Sequence, residues 1–146
     1  MLLRPRQQEF LDRAIDALSG NDNTLGIAPT GAGKTVLFCH LLGHFMRNDA
    51  QKKALVVGHR DELTIQNSSK FQLINPDISV SIVNAETKDW SGQVVFAMVQ
   101  TLSRENNLEE IPHLDLIVID EAHHTPASSY QVIIEKSRQI NRACKL

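Results

Sequence analysis

The chain has 146 residues, of which 42% are hydrophobic and 22% are charged, and its formal net charge is −2. This length fits one ordinary domain with a buried core, and the mixed charges exclude a disordered or fibrous protein. No large positive charge indicates a nucleic-acid partner, so any such contact has to come from a local patch of residues.

The cysteines and the first residues bear on the compartment of the protein. Cys39 and Cys144 predict two reduced thiols rather than a disulfide framework or a zinc site. No apolar run approaches the roughly 20 residues that cross a bilayer. Arg4 and Pro5 interrupt the N-terminal segment, which is unlike a secretory signal. We therefore expect a cytoplasmic protein.

The first half of the chain alternates helix and strand patterns. Apolar residues at helical spacing predict a helix over residues 6–19, with Gly20 as its stop. A short strand is predicted at residues 24–28, followed by a glycine-rich turn and a second helix at residues 34–47. The continuous apolar run at residues 54–57 predicts a strand that is buried on both faces.

The second half continues this alternation. The predicted elements are a helix at 61–71, an edge strand at 78–83, a loop at 88–93, strands at 94–98 and 116–119, and a helix at 130–140. Strands separated by helices predict an α/β fold, in which a mostly parallel sheet is flanked by helices on both faces. In such folds, ligands bind at the carboxyl ends of the strands.

The segment APTGAGKT at residues 28–35 follows a predicted strand and opens a predicted helix, as a phosphate-binding loop does. Glycines allow a tight turn whose N–H groups face phosphate oxygens, and the helix N-terminus adds partial positive charge. Lys34 brings a full charge to the β- and γ-phosphates, and the Thr35 hydroxyl can ligate Mg²⁺. The alternative is a glycine-rich turn that binds no ligand, and Ala28 departs from the glycine of the general pattern. The predicted phosphate-binding residues are Pro29, Thr30, Gly31, Ala32, Gly33, Lys34 and Thr35.

The apolar run at residues 116–119 leads directly into the sequence DEAH. Hydrolysis of a phosphoanhydride needs a metal ion that neutralises charge and a base that orients water. We assign Asp120 and Glu121 to the Mg²⁺ site, and Glu121 also as the base that positions the attacking water. The alternative is a solvated turn after a strand. We place His123 with Lys34, Asp120 and Glu121 in the catalytic set, as a residue that couples the nucleotide site to neighbouring elements. The alternative for His123 is a capping or packing residue.

With APTGAGKT and DEAH in this order, the chain resembles the superfamily 2 helicases, whose motifs I and II these sequences match. Three less specific segments agree with the resemblance: LRPRQ at residues 3–7, GHRDEL at 58–63 and the segment 94–102, which ends in VQTL. The order of motifs is most similar to RadD-like bacterial helicases and to motor subunits of type I and type III restriction enzymes. The resemblance implies one RecA-like P-loop NTPase domain over residues 1–146, truncated before motif III and without the second RecA-like domain.

The resemblance also implies roles for weaker candidate residues. Gln7 would read the adenine edge, with Arg4 nearby, whereas Arg6 stands where relatives have an aromatic residue. The nucleic-acid contacts implied are His59, Arg60, Gln100 and Thr101, all to the phosphate backbone of one strand. For each of these residues a purely structural role is the alternative. Trp90 is either a stacking platform or, as a lone aromatic residue more often is, a local packing residue.

The implied function is that of an ATP-driven motor on nucleic acid. Its cofactors would be ATP and Mg²⁺, and its partners would be DNA rather than RNA and a second RecA-like domain of the full-length chain, with no membrane. The alternatives are a P-loop kinase acting on a small molecule and a nucleotide-dependent binding module without turnover. A kinase needs a substrate lid and basic residues after the P-loop helix, and the sequence shows neither.

Overall fold

The computed structural model describes residues 5–20, 34–47, 51–58, 61–119 and 127–141. The helices are α1 (Pro5–Gly20), α2 (Lys34–Arg47), α3 (Asp61–Ile74), α4 (Val99–Leu102), α5 (Glu105–Leu108) and α6 (Ala127–Ile140). The strands are β1 (Ala54–Gly58), β2 (Val80–Val83), β3 (Val94–Met98) and β4 (Leu116–Ile119). Among these helices, none has the length and apolar character that crossing a bilayer requires.

Most of the predicted elements are confirmed, and the differences are at the ends of elements or in single helical turns. α3 ends at Ile74 rather than at residue 71, because the helical hydrogen bonding continues through the Asn75 N–H to the Phe71 carbonyl at 2.7 Å. α6 begins at Ala127 rather than at residue 130. Neither α4 nor α5 was predicted, since a single helical turn is too short to produce a periodic apolar pattern. The strand predicted at residues 24–28 lies outside the described residues.

The four described strands form one parallel sheet in the order β2-β3-β1-β4. β2 lies at one end of this order, so the prediction of an edge strand is confirmed within the described sheet. At the amino end of β1, the Lys53 N–H donates to the Asp115 carboxylate at 3.0 Å, and the Asp115 N–H donates back to the Lys53 carbonyl at 2.8 Å. This reciprocal pair aligns the beginnings of β1 and β4.

Alternate residues of each strand face two separate apolar clusters. Leu55, Val57 and Ile117 face a cluster that includes Leu102 of α4 and Ile133 of α6. Ala54, Val56 and Leu116 face the opposite cluster, which contains α2 and α3 side chains such as Cys39, Leu42, Met46 and Phe71. A sheet buried on both faces explains why its central strands are continuous apolar runs. The prediction of helices on both faces of the sheet is thereby confirmed.

Candidate nucleotide and nucleic-acid site

Three strands end level with one another at the carboxyl edge of the sheet. In the parallel register Val57 pairs with Ile119, and Gly58 pairs with Met98. The chain therefore leaves β1, β3 and β4 from the same edge, just before the segments in which the predicted site residues stand. This is the edge at which open parallel sheets bind their ligands.

A side-chain hydrogen bond fixes the C-terminal end of α2 relative to the sheet. The Gln93 amide, directly before β3, donates to the Met46 carbonyl near the end of α2 at 2.9 Å. The C-terminus of α2 therefore lies beside the amino end of β3. The 14 residues of α2 span about 21 Å, and β3 spans about 16 Å. Lys34 and Thr35 begin α2 and therefore lie at the end of the helix that is distant from this contact, about 20 Å along the axis from Arg47.

Most of the predicted nucleotide-site side chains lie outside the described part of the chain. This applies to residues 28–33 of the loop, to the side chains of Lys34 and Thr35, and to Asp120, Glu121 and His123. It also applies to Arg4 and to the side chain of Gln7, whose backbone belongs to α1. Within the described ranges, no three His, Cys, Asp or Glu side chains come together to hold a metal ion. The Mg²⁺ ligands therefore stay a prediction, as do the other site residues.

The structure gives different environments to the two predicted nucleic-acid residues that it describes. Gln100 is exposed on α4, whereas Thr101 is only 6% exposed. The Thr101 carbonyl accepts a hydrogen bond from the Asn107 amide at 2.7 Å, which ties α4 to α5. Gln100 is therefore presented on a fixed turn, and Thr101 contributes to that turn. The prediction for both residues remains open, and His59 and Arg60 lie outside the described residues.

Trp90 belongs to the packing of the domain. Its side chain is half-buried and packs against the apolar cluster that contains Leu55 and Ile133. Its indole Nε1 is buried, and among the described residues it has no hydrogen-bond partner. A stacking platform would present an open ring face, so the structure favours the packing interpretation of this residue.

A polar contact that the sequence did not predict holds the middle of α2. Asn75, directly after α3, is 1% exposed, and its amide Nδ2 donates to the Cys39 carbonyl of α2 at 3.0 Å. Its Oδ1 accepts from Nη2 of Arg47 at 2.6 Å. Gly43 of α2 lies so close that a Cβ atom there would overlap the Asn75 side chain. A glycine inside an otherwise good helix pattern was the one signal of this contact in the sequence.

The end of α2 is held by an ion pair beside that contact. Nε of Arg47 donates to Oδ2 of Asp77 at 3.0 Å, and Nη2 donates to Oδ1 at 3.1 Å. The hydrogen bond from Arg47 keeps the pKa of Asp77 below its ordinary value. Both side chains are about half exposed, so the pair fixes geometry more than it adds stability.

Cys39 takes no part in reactive chemistry. It is fully buried, and burial raises the pKa of its thiol to about 12. The thiol therefore stays protonated at neutral pH and packs as a small apolar side chain. Its reduced state agrees with the sequence prediction for this residue, while Cys144 lies outside the described residues.

Comparison with known proteins identifies the family. Residues 1–145 match the family described as type III restriction enzyme, res subunit. A protein of Saccharomyces cerevisiae named as the ATP-dependent helicase IRC3 is 33% identical over 144 residues. The alignment covers 92% of this chain and 21% of that relative, so the chain spans about a fifth of the relative's length.

Solved structures agree on the fold. The UvsW helicase from bacteriophage T4 superposes with a TM-score of 0.78 at 18% identity, covering 99% of this chain and 51% of that one. The SWI2/SNF2 ATPase core of Sulfolobus solfataricus, solved with double-stranded DNA, gives a TM-score of 0.78 at 16% identity, covering 93% and 30%. The chain therefore has the RecA-like fold, and it belongs to the family of the type III restriction enzyme res subunit.

Proposed function

We propose that the chain binds ATP with Mg²⁺ at the carboxyl edge of its sheet and uses hydrolysis to drive movement on DNA. The observation that carries the proposal is the arrangement of α2 and β4. β4 ends one residue before Asp120 at the carboxyl edge, and α2 begins with Lys34 at the end opposite to its contact with Gln93 at the amino end of β3. In a RecA-like motor, that edge is where a nucleotide would lie between the phosphate loop and the acidic residues.

The roles of the residues follow from the chemistry of phosphoryl transfer. Lys34 would neutralise the β- and γ-phosphates, and Thr35 with Asp120 would hold the Mg²⁺ ion. Glu121 would orient the attacking water. Gln7 would recognise the adenine base, because an amide offers both a donor and an acceptor.

For nucleic acid, we propose contacts along the carboxyl edge of β1 and β3. Gln100 is exposed on α4, two positions after β3 ends, and His59 and Arg60 follow β1 in the sequence. Contacts of this kind bind the phosphate backbone and carry no sequence information. DNA is the proposed substrate rather than RNA, because the similar Sulfolobus solfataricus core was solved with double-stranded DNA.

The chain spans about a fifth of its Saccharomyces cerevisiae relative, so the proposed motor needs further parts. We propose that a second RecA-like domain supplies arginine side chains to the bound nucleotide. Such an arginine finger accelerates turnover by about 10³–10⁵ in other NTPases. The 146-residue chain by itself should therefore bind ATP weakly and hydrolyse it very slowly.

The test begins with binding of a fluorescent ATP analogue, with Mg²⁺, to the chain and to its Lys34→Ala variant. Saturable binding that the variant loses supports the proposed nucleotide site, and equal binding by both proteins refutes it. The ATPase of the full-length protein is then titrated with single-stranded DNA, duplex DNA and RNA. Turnover that ignores all three would favour a small-molecule kinase, and binding without turnover would favour a nucleotide-dependent binding module.

A further inference from the structure

The strongest feature outside the predicted site is the polar contact that joins α2 to the segment after α3. We define the Asn75 clamp as Asn75, Arg47 and Asp77 together with the Cys39 carbonyl that Asn75 binds. Its hydrogen bonds run from 2.6 to 3.1 Å. The amide of Asn75 uses both its donor and its acceptor, and both partners belong to α2.

The clamp fixes α2 at two heights along its axis. Cys39 lies five positions after Lys34, about 8 Å along the helix, and Arg47 lies about 20 Å along it. A hydrogen bond at the middle and an ion pair at the end together restrict sliding, rotation and tilt of the helix. Because a helix is stiff over this length, any displacement at Cys39 is passed on to the residues that begin α2.

The sequence of α2 supports this interpretation over simple packing. Gly43 is buried in the middle of the helix, where glycine disfavours helix formation relative to alanine. A Cβ atom at this position would overlap the Asn75 amide and would lie 3.0 Å from Nη1 of Arg47. The helix thus carries an unfavourable residue at the position where the clamp needs room.

We propose that Asn75 is a positioning residue that sets the place of α2, and with it Lys34 and Thr35, for the bound nucleotide. The inference rests on the proposed function, because it concerns affinity at the same nucleotide site. Asn75 itself would not touch the nucleotide, since it contacts the middle of α2 and not its beginning. It acts by holding the cationic and metal-binding side chains in register with the phosphates, where small displacements are costly.

The test compares the affinity of four proteins for N-methylanthraniloyl-ATP with Mg²⁺, each in the 146-residue form and at a temperature where it is folded. They are the wild-type chain, Asn75→Ala, Gly43→Ala and the control Asn84→Ala. Asn84 is also buried, and its Oδ1 accepts two backbone N–H bonds, from Glu86 at 3.0 Å and Thr87 at 2.8 Å. The control therefore removes a second buried asparagine, 8% exposed, that accepts hydrogen bonds from the turn after β2.

Asn75→Ala is expected to weaken binding by at least about fivefold, the lower end of typical coupling between sites. Gly43→Ala should also weaken binding, although alanine favours the helix. If Asn75→Ala does not fold, the comparison of Gly43→Ala with the wild-type chain is the test. Asn84→Ala should stay within about twofold of wild type. Equal affinities for the wild-type, Asn75→Ala and Gly43→Ala proteins, or equal losses in Asn75→Ala and Asn84→Ala, would overturn the inference. Absence of saturable binding by the wild-type chain would instead refute the proposed nucleotide site, and the inference with it.

Discussion

The sign of the stability change on replacing Gly43 by alanine is a direct test of the packing between α2 and α3. Alanine is favoured over glycine inside a helix by about 1 kcal/mol, so helix propensity alone makes Gly43→Ala stabilising. The added Cβ atom, however, would overlap the Asn75 side chain, which is 1% exposed and has no open space to enter. Asn75 would then have to leave its positions against Cys39 and Arg47.

The two effects can be compared in magnitude. Displacing Asn75 breaks its bonds to the Cys39 carbonyl and to Arg47, and each lost hydrogen bond costs about 1 kcal/mol or more when a buried group stays unpaired. A loss of about 2–3 kcal/mol set against a gain of about 1 kcal/mol leaves the variant less stable by about 1–2 kcal/mol. In an Asn75→Ala background the obstacle is absent, and the same substitution should stabilise the protein by up to about 1 kcal/mol.

The assay is urea unfolding followed by circular dichroism on the four proteins of this double-mutant cycle. The expected coupling between the two positions is about 2–3 kcal/mol, at the upper end of values for contacting residues. If Gly43→Ala stabilises the protein that retains Asn75, helix propensity outweighs the contact, and the reasoning about the clamp is refuted. Equal effects of Gly43→Ala in both backgrounds would refute it as well.

Three further predictions concern other parts of the molecule. In the full-length protein, Glu121→Gln should keep ATP affinity but lower turnover by at least about 100-fold, the lower range of general-base effects, and normal steady-state turnover would contradict its assigned role. Asp77→Asn should lower the melting temperature more at pH 7 than at pH 3. Because folding lowers the pKa of Asp77, its carboxylate stabilises the folded state at pH values above the ordinary pKa of about 3.9. This contribution is lost as the pH falls through the folded-state pKa. An equal change in melting temperature at both pH values would exclude a stabilising role for the Asp77 charge. Asn107→Ala should cost about 1 kcal/mol in urea unfolding, because the Thr101 carbonyl loses its side-chain donor; unchanged stability would show that α4 does not need this bond.

Several elements could be predicted closely from the sequence because their pattern is local. β3 and β4 begin and end where the apolar runs do, since strands buried on both faces leave little room for polar residues. The phosphate loop and the DEAH sequence could likewise be recognised from residue types and spacing alone. For the nucleic-acid candidates the sequence was less informative, because it treated Gln100 and Thr101 alike while the structure exposes the first and buries the second.

By itself, the sequence determined most of the local elements and predicted the chemistry of residues 28–35 and of the DEAH sequence, since periodicity and motif spacing depend on residues that are neighbours along the chain. Only the tertiary structure decided the strand order β2-β3-β1-β4, the contact of the α2 C-terminus with Gln93 and the partners of Asn75. Each of these depends on contacts between residues distant in the chain, such as Asn75 with Cys39 and Gln93 with Met46. No local sequence pattern predicts such a pair, because the free energy of the contact comes from burying both partners together in the folded state.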